Sequence, residues 1–257
     1  MSLDFSPKPG AAPLTSMIRS QLTMEIRLLA RNGEQVLLAL VIPLLLLVAG
    51  SRSTRIIDLG DGRPIDIITP GVLALAILST SFTSLAIATG FERRYGVIKR
   101  LGASPLPRTG LMAGKMAAVA VVEAFQLVVL CLVAWAIGWE PQGGVVSFLW
   151  LALLTLLGTA AFGGLGLLIA GLLRAEATLA LANLVYVLLL VGGGILIPLD
   201  RYPDGSEAFL RLLPSGALGE GIRDAFQGGA PSLESVVVLL VWAMASGGLA
   251  ARTFKWE

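Results

Sequence analysis

The 257 residues are 56% hydrophobic and 14% charged, whereas an ordinary soluble domain carries about 25% charge. The net charge is only +2, there is no His, and Cys131 is the one cysteine. An internal disulfide, a Cys/His zinc site and a Ser-His-Asp triad are therefore excluded, and Cys131, inside an apolar run, is read as a small packed hydrophobe.

Residues 16–31, SMIRSQLTMEIRLLAR, place Ile18, Leu22, Ile26 and Leu29 on one helical face and Arg19, Thr23, Arg27 and Arg31 on another. That pattern predicts an amphipathic helix lying in the membrane interface, within an N-terminal segment of residues 1–34, and Asn32-Gly33 breaks it. A bilayer needs roughly 20 mostly apolar helical residues per span. The remainder, 35–257, then reads as six spans at about 35–51, 69–91, 116–139, 145–173, 177–199 and 235–251. The first lies behind a polar segment, without a small-residue cleavage pattern, and is read as a span rather than a cleaved signal. The loop that follows it carries a hairpin signal at Asp61-Gly62. Thr69 and Pro70 look like the N-cap and first residue of the second span.

Between the second and third spans lies FERRYGVIKRLGASPLPRTG, in which five of twenty residues are basic and only Glu92 opposes them. A helix over 92–101 ended by Gly102, with Pro105 and Pro107 stiffening the return, makes this a rigid segment. The fourth span is long enough to tilt or kink at Gly158 or Gly163-Gly164. The last loop, 200–234, predicts short helices before the sixth span. In GALGEGIRDAF, Leu218, Ile222, Ala225 and Phe226 share one face, with Glu220, Arg223 and Asp224 opposite and Ser215 as the cap.

With both termini inside, thirteen of the 19 Lys and Arg fall on the inner side and six on the outer. The positive-inside rule therefore predicts cytoplasmic termini, a multi-pass protein of the cell (inner) membrane, and a cytoplasmic 92–115 segment.

No Walker phosphate loop is present, because GLMAGKM (110–116) has the wrong glycine spacing and Met where Ser or Thr would hold magnesium. Glu123 is the one carboxylate deep in a span, about two turns from the inner edge, with Gln126 on its face. It is expected to accept a hydrogen bond from a hydroxyl of the second span, among Ser79, Thr80, Ser81, Thr83 and Ser84, or to serve a translocation surface or proton site. Asn183 and Tyr186, three apart in the fifth span, are further candidates for a translocation path or for interhelical hydrogen bonds.

The order of these pieces resembles the permease subunit of type-2 ABC exporters, the family that includes daunorubicin-resistance permeases. ERRYGVIKRLGASPLPRTGLMAGK (92–115) is similar to the segment after the second span in drug-export members, and LPSGALGEGIRDAF to the segment before the last span. The resemblance implies an all-α integral membrane protein that is not itself an enzyme. It implies that Glu92, Arg93, Arg94, Gly96, Lys99, Arg100 and Gly102 form a coupling helix docked on a separate ABC ATPase subunit. That subunit would bind ATP and magnesium, so no cofactor is expected in this chain. A second permease copy or a related permease, and membrane lipid, are the other expected partners; nucleic acid is not. The resemblance implies export, and the sparsely charged spans point to an amphipathic drug or lipid-like cargo. The alternatives are a membrane enzyme acting on lipid, with Asp200, Asp204 and Glu220 as its only candidates, and a proton-coupled transporter using Glu123.

Overall fold

The computed structural model describes residues 10–31, 33–52, 63–203 and 205–254, with the backbone alone at residues 30 and 33–38. The Asn32 break, the Asp61-Gly62 hairpin and Asp204 lie outside the described residues. The described chain is helical: α1 (Leu14–Arg31), α2 (Gly33–Arg52), α3 (Pro64–Leu78), a π-helical turn (Ser79–Ser84), α4 (Leu85–Arg94), α5 (Val97–Leu101), α6 (Arg108–Ala136), α7 (Gly144–Leu172), α8 (Ala175–Gly192), α9 (Glu207–Arg211), α10 (Pro214–Phe226) and α11 (Leu233–Thr253).

Five stretches are long and apolar enough to cross a membrane: Pro64–Arg94, α6, α7, α8 and α11. Where the sequence predicts a sixth, at 35–51, α2 supplies a shorter apolar stretch, Ala39–Arg52. Such a chain is a multi-pass membrane protein.

The second expected span begins earlier than its Thr69-Pro70 signal. Pro64 takes the first helical position, and Arg63, just before the helix, bonds Asp66 in its first turn at 2.8 Å. A carboxylate there suits the positive end of the helix dipole. Thr69 instead turns its hydroxyl back onto the Ile65 carbonyl at 2.7 Å, and Pro70 lies inside the helix. Every residue from Thr69 to Leu78 is buried, as expected for a helix apolar on all faces. Around α3 pack α2, α6, α7 and α10, and Phe82, Leu130, Leu154, Phe162 and Leu218 complete this core.

The helix passes into α4 through the π turn, where hydroxyls answer the widened backbone. Ser79 donates to Ala76 O, Ser81 to Ile77 O and Ser84 to Ser79 O, at 3.1, 2.5 and 3.3 Å. α7 runs unbroken through Gly158 and Gly163-Gly164, so the kink allowed for there does not interrupt the helix. Gly164 serves a close approach instead, since a Cβ there would lie 2.8 Å from the Gly247 nitrogen of α11. α8 ends at Gly192 rather than 199, because Gly194 has a φ of +70° and turns the chain. The apolar residues beyond are buried too, Ile195 in the loop and Leu199 at the start of a 3-10 turn (Leu199–Arg201).

The α4–α5 turn, the last turn of α7 and Phe254 gather at one end of the bundle, the turn end. The helices α9 and α10 close the other, the cap end. α10 begins at Pro214, not on a Ser215 cap; Ser215 sits within the helix, its hydroxyl buried without a hydrogen-bond partner among the described residues. The expected apolar face of α10 is buried, but so is Arg223, which the helical pattern had placed on the polar side. α11 has a true cap in Ser232, which accepts from Ser235 N at 3.1 Å.

Candidate functional site

The turn after the second long helix is built differently from its sequence reading. The helix does not run on from 92 to 101. Tyr95 N reaches Phe91 O and Gly96 N reaches Arg93 O, at 2.9 and 3.0 Å, which closes α4. Gly96 has a φ of +72°, so the left-handed position that ends the helix is here. Gly102 does follow the last residue of the short helix over 97–101, as expected, but in the ordinary right-handed region at φ −64°, so it is not the left-handed turn. The short α5 then crosses the end of the bundle. Its Ile98 is fully buried among Leu85, Leu106, Leu111 and Phe254, while Tyr95, Lys99 and Arg100 face outward. Ser104 caps the following bend by donating to Leu101 O at 2.6 Å, and Pro107 leads directly into α6. Residues 108–115, read as part of the coupling segment, are therefore the first two turns of α6.

The charges of this stretch divide. Arg93 donates to Ala170 O at 2.5 Å and Leu173 O at 3.2 Å, capping the free carbonyls at the end of α7. Arg94 pairs with Glu176 at the start of α8. Glu92 turns inward to Lys115, with Nζ–Oε2 at 2.6 Å. Lys99, Arg100 and Gly102 stay exposed.

Lys115 is the group that the sequence reading missed as a site. It was counted only as an inner positive charge, yet it is 2% exposed and also bonds Glu25 of α1 at 2.7 Å. Gln21 donates to the same Glu25 carboxylate at 2.7 Å. The buried residues of α1 are thus polar, Gln21 and Glu25, whereas Ile18, Leu22, Ile26 and Leu29 are half-buried. The helix meets α6 where Gly114 leaves room; a Cβ there would come within 2.6 Å of the Gln21 side chain. The available signal was a Glu placed four residues after a Gln on an otherwise interfacial helix.

Deeper in the bundle, Glu123 is fully buried about four turns into α6, because the helix starts at Arg108 rather than near 116. Its side chain is enclosed and does not snorkel to the edge. It accepts a hydrogen bond from Thr159 of α7, and Ser81 of the second span, one of the expected donors, also reaches the carboxylate while its hydroxyl lies 2.5 Å from Ile77 O; by strict geometry its Oε1 has no hydrogen-bond partner among the described residues. Another second-span hydroxyl that reaches α6 is Thr80, which donates to Gln126 Oε1 at 3.0 Å; Gln126 Nε2 donates on to Ala39 O of α2 at 2.5 Å. Glu123 and Gln126 therefore join α6 to three other helical segments, α7, the second span and α2. Asn183 and Tyr186 are not brought to them: on α8, Asn183 is exposed and Tyr186 half-buried.

At the cap end, Arg223 donates to Gly194 O at 2.8 Å, Ile195 O at 2.5 Å and Glu220 Oε1 at 2.7 Å. Burial lowers the guanidinium's pKa from its ordinary value, and the Glu220 carboxylate opposes that. Glu220, one of the candidates for lipid chemistry, also accepts from Leu199 N at 3.2 Å. It is committed to holding the loop.

These features define a polytopic helical membrane protein with an anchored, basic turn at one end and a short buried helix at the other. The ABC-2 type transporter family matches over residues 16–226, and the chain belongs to that family as a permease subunit. It is 27% identical over 172 residues, 66% of this chain and 69% of the other, to a Bacillus subtilis (strain 168) protein described as "Putative transport permease YvfS".

Proposed function

We propose that this permease is the membrane subunit of an ATP-driven exporter and that α5 is the surface on which a separate ABC ATPase subunit docks. The observation that carries this reading is the anchored turn. Buried Ile98 fixes α5 to the bundle, while Tyr95 (68% exposed), Lys99 and Arg100 are presented outward. An aromatic residue beside exposed cations is a suitable docking surface for an acid-rimmed cleft, and its rigidity lets movement of the partner pass into α4 and α6.

In this reading α2 completes six spans, α1 lies in the inner interface, and both termini are cytoplasmic in the cell (inner) membrane. ATP and magnesium belong to the ATPase. A second permease copy pairs along α8, the least buried of the five long helices. Its exposed Asn183 is costly against lipid and is answered by a hydrogen bond across helices. The cargo is an amphipathic drug or lipid-like molecule, in keeping with spans that offer few charges.

The test is affinity purification of the full chain with the ABC ATPases of its host, followed by ATP hydrolysis in vesicles. A stoichiometric ATPase that the permease stimulates is expected. A permease that transports without any ATPase, driven by a proton gradient and stopped by Glu123→Gln, supports instead the second reading that the partnerless Oε1 of Glu123 suggests.

A further inference from the structure

The reading above leaves Lys115 without a role, although its surroundings are unusual. One cation, 2% exposed, is shared by two carboxylates from different parts of the chain: Glu25 on α1 and Glu92 at the end of α4. A buried charge is retained only with close partners, and here the partners are the interface helix and the helix that leads into the docking turn. Apart from these ion pairs, α1 meets the turn through the half-buried Met17, which packs against the Ile98 and Leu106 cluster. The apolar face of α1 is half-exposed and its buried side chains are Gln21 and Glu25. Gly114 lets α1 come close to α6, but a small-residue contact fixes distance rather than orientation.

We propose that Lys115 is a positioning residue that makes α1, α6 and the α4–α5 turn a single moving body. This rests on the reading that an ATPase acts on the turn. The turn alone would pass a push into the helices it joins, α4 and α6, but not into α1. With Lys115 clamping Glu25 and Glu92, the same push also moves α1. The clamp has one cation for two carboxylates, so removing Glu25 leaves a balanced Lys115–Glu92 pair and frees only α1.

The experiment uses the full chain in phosphatidylethanolamine–phosphatidylglycerol vesicles, with Cys131→Ala and spin labels at Ser16→Cys and Ser104→Cys. Both serines are exposed and line the two sides of one groove, on α1 and after α5. Their distance distribution reads the seating of α1 with no ATPase present. Glu25→Ala is expected to broaden it at least about twofold, Lys115→Arg to leave it narrow, and Arg27→Ala, on the exposed side of α1, to change nothing. In complexes with the co-purified ATPase, Glu25→Ala is expected to hold the ATPase but to lose about fivefold or more of the stimulated ATP hydrolysis, the low end of ordinary coupling between sites. Lys115→Arg keeps the stimulation. Should Glu25→Ala fail to accumulate, Glu25→Gln is read in the same two ways. A narrow distribution with full stimulation in the Glu25 variant overturns the proposal and leaves the docking reading standing. If the unaltered protein holds no ATPase, the docking reading falls, and the distance arm alone decides whether the clamp exists.

Discussion

Each end of the bundle buries one cation, and they are held in opposite ways. At the turn end Lys115 meets two carboxylates from α1 and α4, segments about 67 residues apart along the chain. At the cap end Arg223 meets two consecutive carbonyls and a carboxylate from its own helix. The planar guanidinium suits a fixed pair of acceptors, whereas a point charge on a flexible stem suits groups that travel. Taken with the proposed clamp, the comparison makes the cap end a fixture and the turn end a unit that moves.

The sharpest way to break that contrast is Arg223→Leu. It leaves the Gly194 and Ile195 carbonyls and Glu220 without their partner, and is expected to cost about 3–5 kcal/mol. It is read as lost membrane accumulation or a lower thermal midpoint in detergent. Arg223→Lys should recover only part. Removal of Glu25 at the other end should lower the midpoint much less, because Lys115 and Glu92 stay paired; equal losses at the two ends would erase the distinction.

Between the ends, Thr159→Val removes a donor to Glu123 and is expected to destabilise by about 1–3 kcal/mol, measured by the same midpoint. Glu123→Gln should be milder, since an amide oxygen still accepts from Thr159.

At the turn itself, Gly96→Val puts a β-branched residue at φ +72°, a cost of about 1–2 kcal/mol, and should misdirect α5. Gly102→Val, in right-handed and exposed backbone, should be close to neutral. A reversed order would return the helix end to Gly102.

The smallest effect on stability is expected from Lys99→Glu with Arg100→Glu, since both side chains are exposed and no salt bridge holds them among the described residues. The thermal midpoint should stay put while capture of the ATPase falls, because like charges at an acidic interface repel. Full capture by this pair would remove α5 as the docking surface.

Length and apolar composition made the long helices legible, and the fourth and sixth were placed within about two residues, inside the usual end-fraying of helices. Competing local signals misplaced other ends. Pro64 and Pro70 both offer a helix start, and only the Arg63–Asp66 contact distinguishes them. Gly96 and Gly102 both offer a helix end, and only the burial of Ile98 shows which one turns the chain. Lys115 and Arg223 were invisible as sites for another reason. A charge near a helix end reads as solvated, and apart from Glu220, three residues before Arg223 on the same helix, the partners here come from loops and helices that sequence spacing does not bring together. Glu123 was legible as a costly group and Ser81 was among its expected donors, but Thr159 was not, because nothing in the sequence spacing brings α7 beside α6 at that level.

That widened turn has a consequence for the phase of the chain. A π turn holds one residue more than α-helix geometry needs, and each residue of an α-helix advances about 100° around the axis. Ser79–Ser84 therefore acts as an angular offset between two halves of one long rod. Above it, α3 is aimed by the core; below it, α4 is aimed at Lys115 and the last turn of α7. Deleting a single residue from 79–84 would let the turn close to ordinary α geometry and leave Glu92 and Arg93 facing their partners, whereas deleting one from α4 itself, between Leu85 and Phe91, would rotate them about a quarter-turn away.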